Sequence, residues 1–306
     1  MTEYGTPDGP ADREDPAGRD APGNLDDTGG LDGLGGLYGT DGLDVTDGLD
    51  GLDGPGTVAV SVPGMISRHE DAELVLASTG KLLLLAAAAR DIAAGALEAA
   101  ETVEIRPDDR CGGSGLLGAL SGDRWSVGDL AVLVASVSDN TATNALLRRI
   151  GLDRVAEAAA GLGLTRTRVL DRIREPRLPS HPPAFALGTA GELARLAARL
   201  DGAEEWSRIM LRWMAHNTDR SLVPALLPHE PEDREIPAAP PRGMVWVANK
   251  TGTDTGVRAD VGVMIGPERR IGYAVVANGP AGSEHALVRS ARRAGLAIAR
   301  LAGLTS

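Results

Sequence analysis

Residues 74–92 read LVLASTGKLLLLAAAARDI, with Ser78 three positions ahead of Lys81 and a run of eight Leu and Ala residues directly behind it. An ammonium is costly to bury without a partner. A lysine at the head of a helix that must be buried is therefore either a rim residue, whose stem covers apolar surface, or a functional group. Helical positions i and i+3 share a face, so the Lys81 amine reaches the Ser78 hydroxyl one turn away. A lysine in a poorly solvated cleft gives up its proton readily and serves as base to a hydroxyl nucleophile. The free N–H groups at the start of the helix favour an oxyanion at the same place. Ser and Lys are common residues, and the pair gains meaning only from the rest of the chain.

Outward from this helix the pattern is mixed. TVAVSV (57–62) and ELVLAS (73–78) read as two short strands joined by the turn region PGMISRHED. Ser126 with Asp129, and Thr189 with Glu192, make capping-box patterns before LAVLVASV and LARLAARL. SDNTATNALLRRI (138–150) opens a further helix that Gly151 ends. MVWVANK, DVGVMI and IGYAVVAN form three late strand-like runs, and a last helix covers HALVRSARRAGLAIARLA. Strands at both ends with helices between them predict an α/β (α+β) fold. An antiparallel sheet is drawn from the two chain ends and flanked by helices, with an inserted all-helical subdomain. The boundary between such parts is a usual place for a small-molecule site.

Composition narrows the function. The net charge is −12, and the first 56 residues, with fourteen Asp or Glu against two Arg, account for all of it. Residues 1–55 are rich in Gly and Asp, bury too little apolar surface to fold, and read as a disordered acidic segment; 56–306 form the folded domain. Their Gly-Asp spacing lacks the strict period of calcium-binding repeats. A basic surface for nucleic acid is missing. The N-terminus has neither the basic nor the apolar region of a secretory signal, and Leu82 to Ala89 is too short to span a membrane. A cytoplasmic protein without nucleic-acid or membrane partners is expected. Cys111 is the only cysteine, and the five histidines show no ligand spacing, so no metal or other cofactor is predicted.

Two more triplets give the Ser78–Lys81 pair its context: Ser138-Asp139-Asn140 at a helix start, and Lys250-Thr251-Gly252 after a strand. S-x-x-K, S-D-N and K-T-G in this order, with 60 residues from Ser78 to Ser138, resemble the class A β-lactamases and related penicillin-interacting serine enzymes. The resemblance runs from about residue 57 to the end. It implies Ser78 as nucleophile on an acyl carbonyl, Lys81 as its base partner, and Ser138 as relay of a proton to the leaving nitrogen with help from Lys250. It further implies that Asn140 holds the substrate amide and orients Lys81, that Thr251 and Thr253 bind a substrate carboxylate, and that the backbone N–H groups of Ser78 and Thr253 form the oxyanion hole. Gly252 suits a strand whose backbone the substrate approaches closely.

Two places depart from the family pattern. In the loop LDRIREPRLPSHPP, Glu175, Pro176 and Leu178 match E-P-x-L-N, but Pro179 replaces the Asn and Arg174 makes the step from Ser78 one residue longer. Pro179 offers no side-chain hydrogen bond and no N–H, while Glu175 as base for the deacylating water is flanked by Arg174 and Arg177. Beyond the K-T-G triplet, Arg258 and Arg220 are candidate carboxylate clamps, since a guanidinium matches a carboxylate in a bidentate fork. The expected activity is a serine acyl-enzyme hydrolase opening a β-lactam or related amide. The alternative is an esterase, amidase or transacylase of small-molecule metabolism. Either takes a small-molecule acyl substrate.

Overall fold

The structure is a computed structural model that describes Leu49, Leu52 and residues 54–304. In chain order the strands are β1 (Thr57–Val62), β2 (Ile66–Arg68), β3 (Leu74–Val75), β4 (Thr102–Glu104), β5 (Arg124–Ser126), β6 (Arg168–Val169), β7 (Ala186–Gly188), β8 (Trp246–Asp254), β9 (Val257–Ile265) and β10 (Arg270–Asn278). The α-helices are α1 (Lys81–Ala93), α2 (Val127–Ser136), α3 (Asn140–Ile150), α4 (Leu152–Gly161), α5 (Ala190–Ala198), α6 (Glu205–Ala215) and α7 (Glu284–Leu301).

Five strands make one sheet in the order β2-β1-β10-β9-β8, with every pairing antiparallel. The predicted union of both chain ends is therefore present: Thr57 pairs with Asn278. Strand alternation splits the core in two. Val58, Val60, Tyr273 and Val275 face α7 through Leu287, Ala291, Ala294 and Ile298. Ala59, Ala274, Val276, Val261 and Val263 face the opposite way, into a cluster that includes the whole 82–89 run. That run is buried on every side, which explains why it carries no amphipathic stripe.

Several local expectations acquire atoms. Ser126 Oγ caps α2 by accepting from Asp129 N, and Gly151 ends α3 at φ 92°, a conformation glycine adopts without strain. Thr189 caps α5 likewise, but Glu192 does not close the box. Its buried carboxylate instead accepts the backbone N–H groups of Thr165, Arg166 and Thr167, tying that segment to the helix. The turn region between the first two predicted strands contains β2, and the second run shortens to Leu74–Val75 because Ala77–Gly80 forms a one-turn 3-10 helix. Leu49 and Leu52 are buried in the α7-side core, so packing begins ahead of the boundary expected at 55. Residues 1–48 lie outside the described residues. No helix among the described residues is long and apolar enough to cross a membrane.

Candidate active site

Ser78 sits in the 3-10 turn that opens α1, preceded by Ala77 in the left-handed region at φ 46°. Two glycines let other segments come close to this turn. A Cβ on Gly80 would lie 2.3 Å from Ala186 Cβ, and one on Gly252 would lie 2.6 Å from Leu76 O and 3.1 Å from Ser78 N. Gly252 is therefore required for β8 to lie against the Ser78 backbone, and Thr253, next along that strand, lines the same cleft as Ser78.

Lys81 is fully buried, and its Nζ is the hub of the site. It donates to Ser138 O at 2.7 Å, Ser138 Oγ at 3.0 Å and Asn140 Oδ1 at 2.8 Å. Ser138 presents both oxygens to one amine because it takes a left-handed conformation, φ 56°, in the link between α2 and α3. Such a residue persists only where its surroundings hold it. Asp139 does so here: its Oδ1 accepts Ala142 N, capping α3, and its Oδ2 accepts the N–H groups of Leu116 and Leu117. Asn140 Nδ2 adds a bond to Gly112 O at 2.8 Å. The loop carrying Cys111 is thus fastened to the Ser138-Asp139-Asn140 triplet. Cys111 is half-buried, and burial pushes its thiol up.

Lys250 is also fully buried, donating to Thr251 O at 2.7 Å. Burial lowers its pKa to about 8, with the charges of Asp219 and Asp260 opposing the fall. Lys81 is driven well below the ordinary lysine value, first by burial and then by the charge of Lys250. The arrangement suits one neutral amine that accepts a proton beside one cation that stabilises developing negative charge.

The cleft has two lobes meeting at Ser78. One, of about 170 Å³, is lined by Ser114, Ser138, Asp219, Thr251 and Thr253 among others. The second, of about 160 Å³, is lined by Asn140, Glu175, Arg174 and Phe185. A family model described as the beta-lactamase enzyme family matches residues 59–303. The chain belongs to that family.

A β-lactamase from Sphaerobacter thermophilus has 27% identity with the chain and a TM-score of 0.73, covering 86% of this chain and 98% of its own. PBP-A has 19% identity and a TM-score of 0.70 over 84% and 93% of the two chains. A class A β-lactamase from Mycobacterium abscessus has 20% identity and a TM-score of 0.69 over 85% and 100%. No significant match is found among curated proteins. The protein is thus a β-lactamase-like serine hydrolase with the fold of that family.

Within this β-lactamase-like site the remaining predicted residues divide. Glu175 reaches the second lobe but is exposed, and among the described residues the Lys81 amine bonds Ser138 and Asn140, not Glu175. Arg174 and Arg177 do not turn to Glu175. Both pair with Asp171, closing the loop from within, and hold that carboxyl below its usual value against the opposing effect of burial. Arg258 donates to Asp254 O and Val257 O, and Arg220 to Val247 O and Asn249 Oδ1. Arg258 stands opposite the cleft residue Thr253 in the β8–β9 pairing, and neither guanidinium is among the residues lining the two lobes.

Two site residues escape the sequence reading. Asn144 holds the Glu175 loop by accepting Ile173 N at 2.8 Å and donating to Ile173 O at 3.0 Å. Its signal was its position: one turn after Asn140 on the same helix, it shares that residue's face. Asp219 lines the first lobe, and nothing in its local sequence announces it.

Proposed function

We propose that the site acylates Ser78 with a β-lactam or related amide and that water then releases the acyl group. The observation that carries this reading is the buried Lys81 amine held on Ser138 and Asn140, one turn from Ser78. Ser78 Oγ attacks the carbonyl carbon, and its proton passes to Lys81 in its neutral form, which donates to two of the three oxygens around it and leaves its lone pair for the proton. The backbone N–H groups of Ser78 and Thr253 receive the oxyanion, a contribution of about 3–4 kcal/mol per donor in such sites. As the C–N bond breaks, Ser138 Oγ gives its proton to the leaving nitrogen and is reprotonated by Lys81. The charge of Lys250 favours both steps. Glu175 activates the water that cleaves the ester.

The exposure of Glu175, together with Pro179 in place of an Asn, favours a second reading of the last step. Here an acceptor other than water takes the acyl group, as in a transacylase or a slow esterase or amidase on a non-lactam substrate. Intact-protein mass after addition of benzylpenicillin to wild type and Ser78→Ala tests both readings. An adduct that forms and decays, absent from the variant, is the expected result. A persistent adduct assigns the release step to another acceptor, and an adduct on Ser78→Ala overturns Ser78 as nucleophile.

A further inference from the structure

Residues 29–52 divide into eight triplets, GGL-DGL-GGL-YGT-DGL-DVT-DGL-DGL, with Gly in the middle of all but one. From Asp41 onward the charge keeps the same period. Asp41, Asp44, Asp47, Asp50 and Asp53 recur at every third position, and Leu43, Thr46, Leu49 and Leu52 each stand two places after an Asp. Any backbone with three residues per turn puts these Asp in one row and the Leu and Thr in another.

The last two members of the Leu row are buried. Leu52 N donates to Leu49 O at 3.2 Å, and both side chains lie in the α7-side core with Leu287 and Ala291. A Cβ on Gly279 would lie 2.4 Å from Pro55 O and 3.4 Å from Leu287 Cδ2, so the chain enters β1 beside the first turns of α7. The outer face of that helix has the opposite charge. Arg289, Arg293, Leu296 and Arg300 form one stripe at helical spacing, with the three Arg exposed and Leu296 half-buried. The helix has one acid, Glu284 in its first turn, and that carboxylate accepts Gly256 N at 2.9 Å. A basic stripe without acids of its own thus runs from the place where an acidic repeat leaves the core.

We propose that residues 41–48 are a strap for the last helix. Leu43 and Thr46 continue the row of Leu49 and Leu52 toward Leu296, and Asp41, Asp44 and Asp47 face the Arg stripe. The partner of this basic face is then the acidic repeat of the same chain. Its tether holds it at an effective concentration of about millimolar, which favours it over a free partner of like charge.

Endoproteinase Asp-N, which cuts ahead of Asp, tests this on the folded full chain, with the free peptide of residues 36–53 as the undocked reference. Cleavage at Asp41, Asp44 and Asp47 should be about tenfold or more slower in the chain than in the peptide. High salt should raise the chain's rate relative to the peptide's, because exposed ion pairs are screened. Arg289→Glu with Arg300→Glu should speed cleavage by a similar factor. Arg110→Glu with Arg124→Glu, an equal change of charge elsewhere, should not. Cleavage at the peptide's rate in wild type overturns the strap, and equal effects of the two double variants overturn its place on α7. Cleavage that speeds up on dilution gives the stripe to a second copy and overturns the intramolecular contact. If the helix variant does not fold, the comparison with the peptide and its salt dependence in wild type decide.

Discussion

Replacing Gly252 by alanine would put a methyl carbon 2.6 Å from Leu76 O, 3.0 Å from Thr79 N and 3.1 Å from Ser78 N. Ordinary contact begins near 3.4 Å, so β8 and the Ser78 turn must part by about 0.8 Å. All three obstacles are backbone atoms, and no rotamer change relieves them. The strand pairs with β9 along its whole length and remains in the sheet. The strain of such overpacking typically costs about 1–3 kcal/mol of stability. The effect on chemistry is larger in proportion, because the shift separates Thr253 N–H from Ser78 N–H, and misplacement of reacting groups by about 1 Å can cost roughly 100-fold in rate. Gly252→Ala should therefore fold, melt a few degrees lower, and acylate Ser78 some tens of times more slowly. Burst amplitude and rate with an activated ester, beside a thermal melt, measure the two effects. A variant that acylates at the wild-type rate would refute the claim that close approach at Gly252 builds the oxyanion site.

Lys81→Met should keep or raise the melting temperature, since an apolar chain of similar volume replaces a buried cation, while acylation drops by about 10²–10⁴-fold; a lower melting temperature with acylation retained would contradict both halves. Acylation should decline on the alkaline side near pH 8 as Lys250 loses its proton. Burial raises Asp260 to about 7, so it is ionised in that range and helps Lys250 keep the proton. Asp260→Asn should accordingly move the alkaline limb to lower pH, and a pH profile with an unmoved limb would sink this coupling. Asn144→Ala leaves Ile173 N–H and C=O without their partner, a penalty of about 1–3 kcal/mol per unsatisfied buried group; decay of the Ser78 adduct should slow more than its formation, and equal effects on both would remove Asn144 as a positioning residue for the Glu175 loop.

The order of strand and helix signals was enough to read the architecture, because the sheet and its two faces follow from periodicity in 57–62 and 244–278. Ser126 and Gly151 were equally legible, since a cap is a local bond between residues three or four apart. Legibility failed wherever a polar group chose a distant partner. Glu192 has the spacing of a capping box, yet three backbone N–H groups 25 to 27 residues upstream claim it. Arg220 and Arg258 have the chemistry of a clamp, but each turns its Nη1 to a carbonyl of β8 or β9. Asp219 becomes part of the site only because Thr218 N bonds Ser136 O at 3.0 Å and brings that turn alongside the Ser138 link. Leu49 and Leu52 lie in a stretch whose composition is that of a linker, and their burial depends on α7 at the far end of the chain.

The pairing of β1 with β10 joins residues more than 200 positions apart. At a synthesis rate of about 5–20 residues per second, the first strand waits roughly 10–40 s on the ribosome for its central neighbour. Throughout that interval the Leu and Ala run behind Lys81 has no sheet to pack on, and the valines of β1 have only the three-residue β2 beside them. Contacts this remote are slow to form and leave sticky surface open meanwhile. The nucleophile is therefore made early and armed late, and a chain that stalls before residue 246 is a candidate for chaperones rather than a partial enzyme.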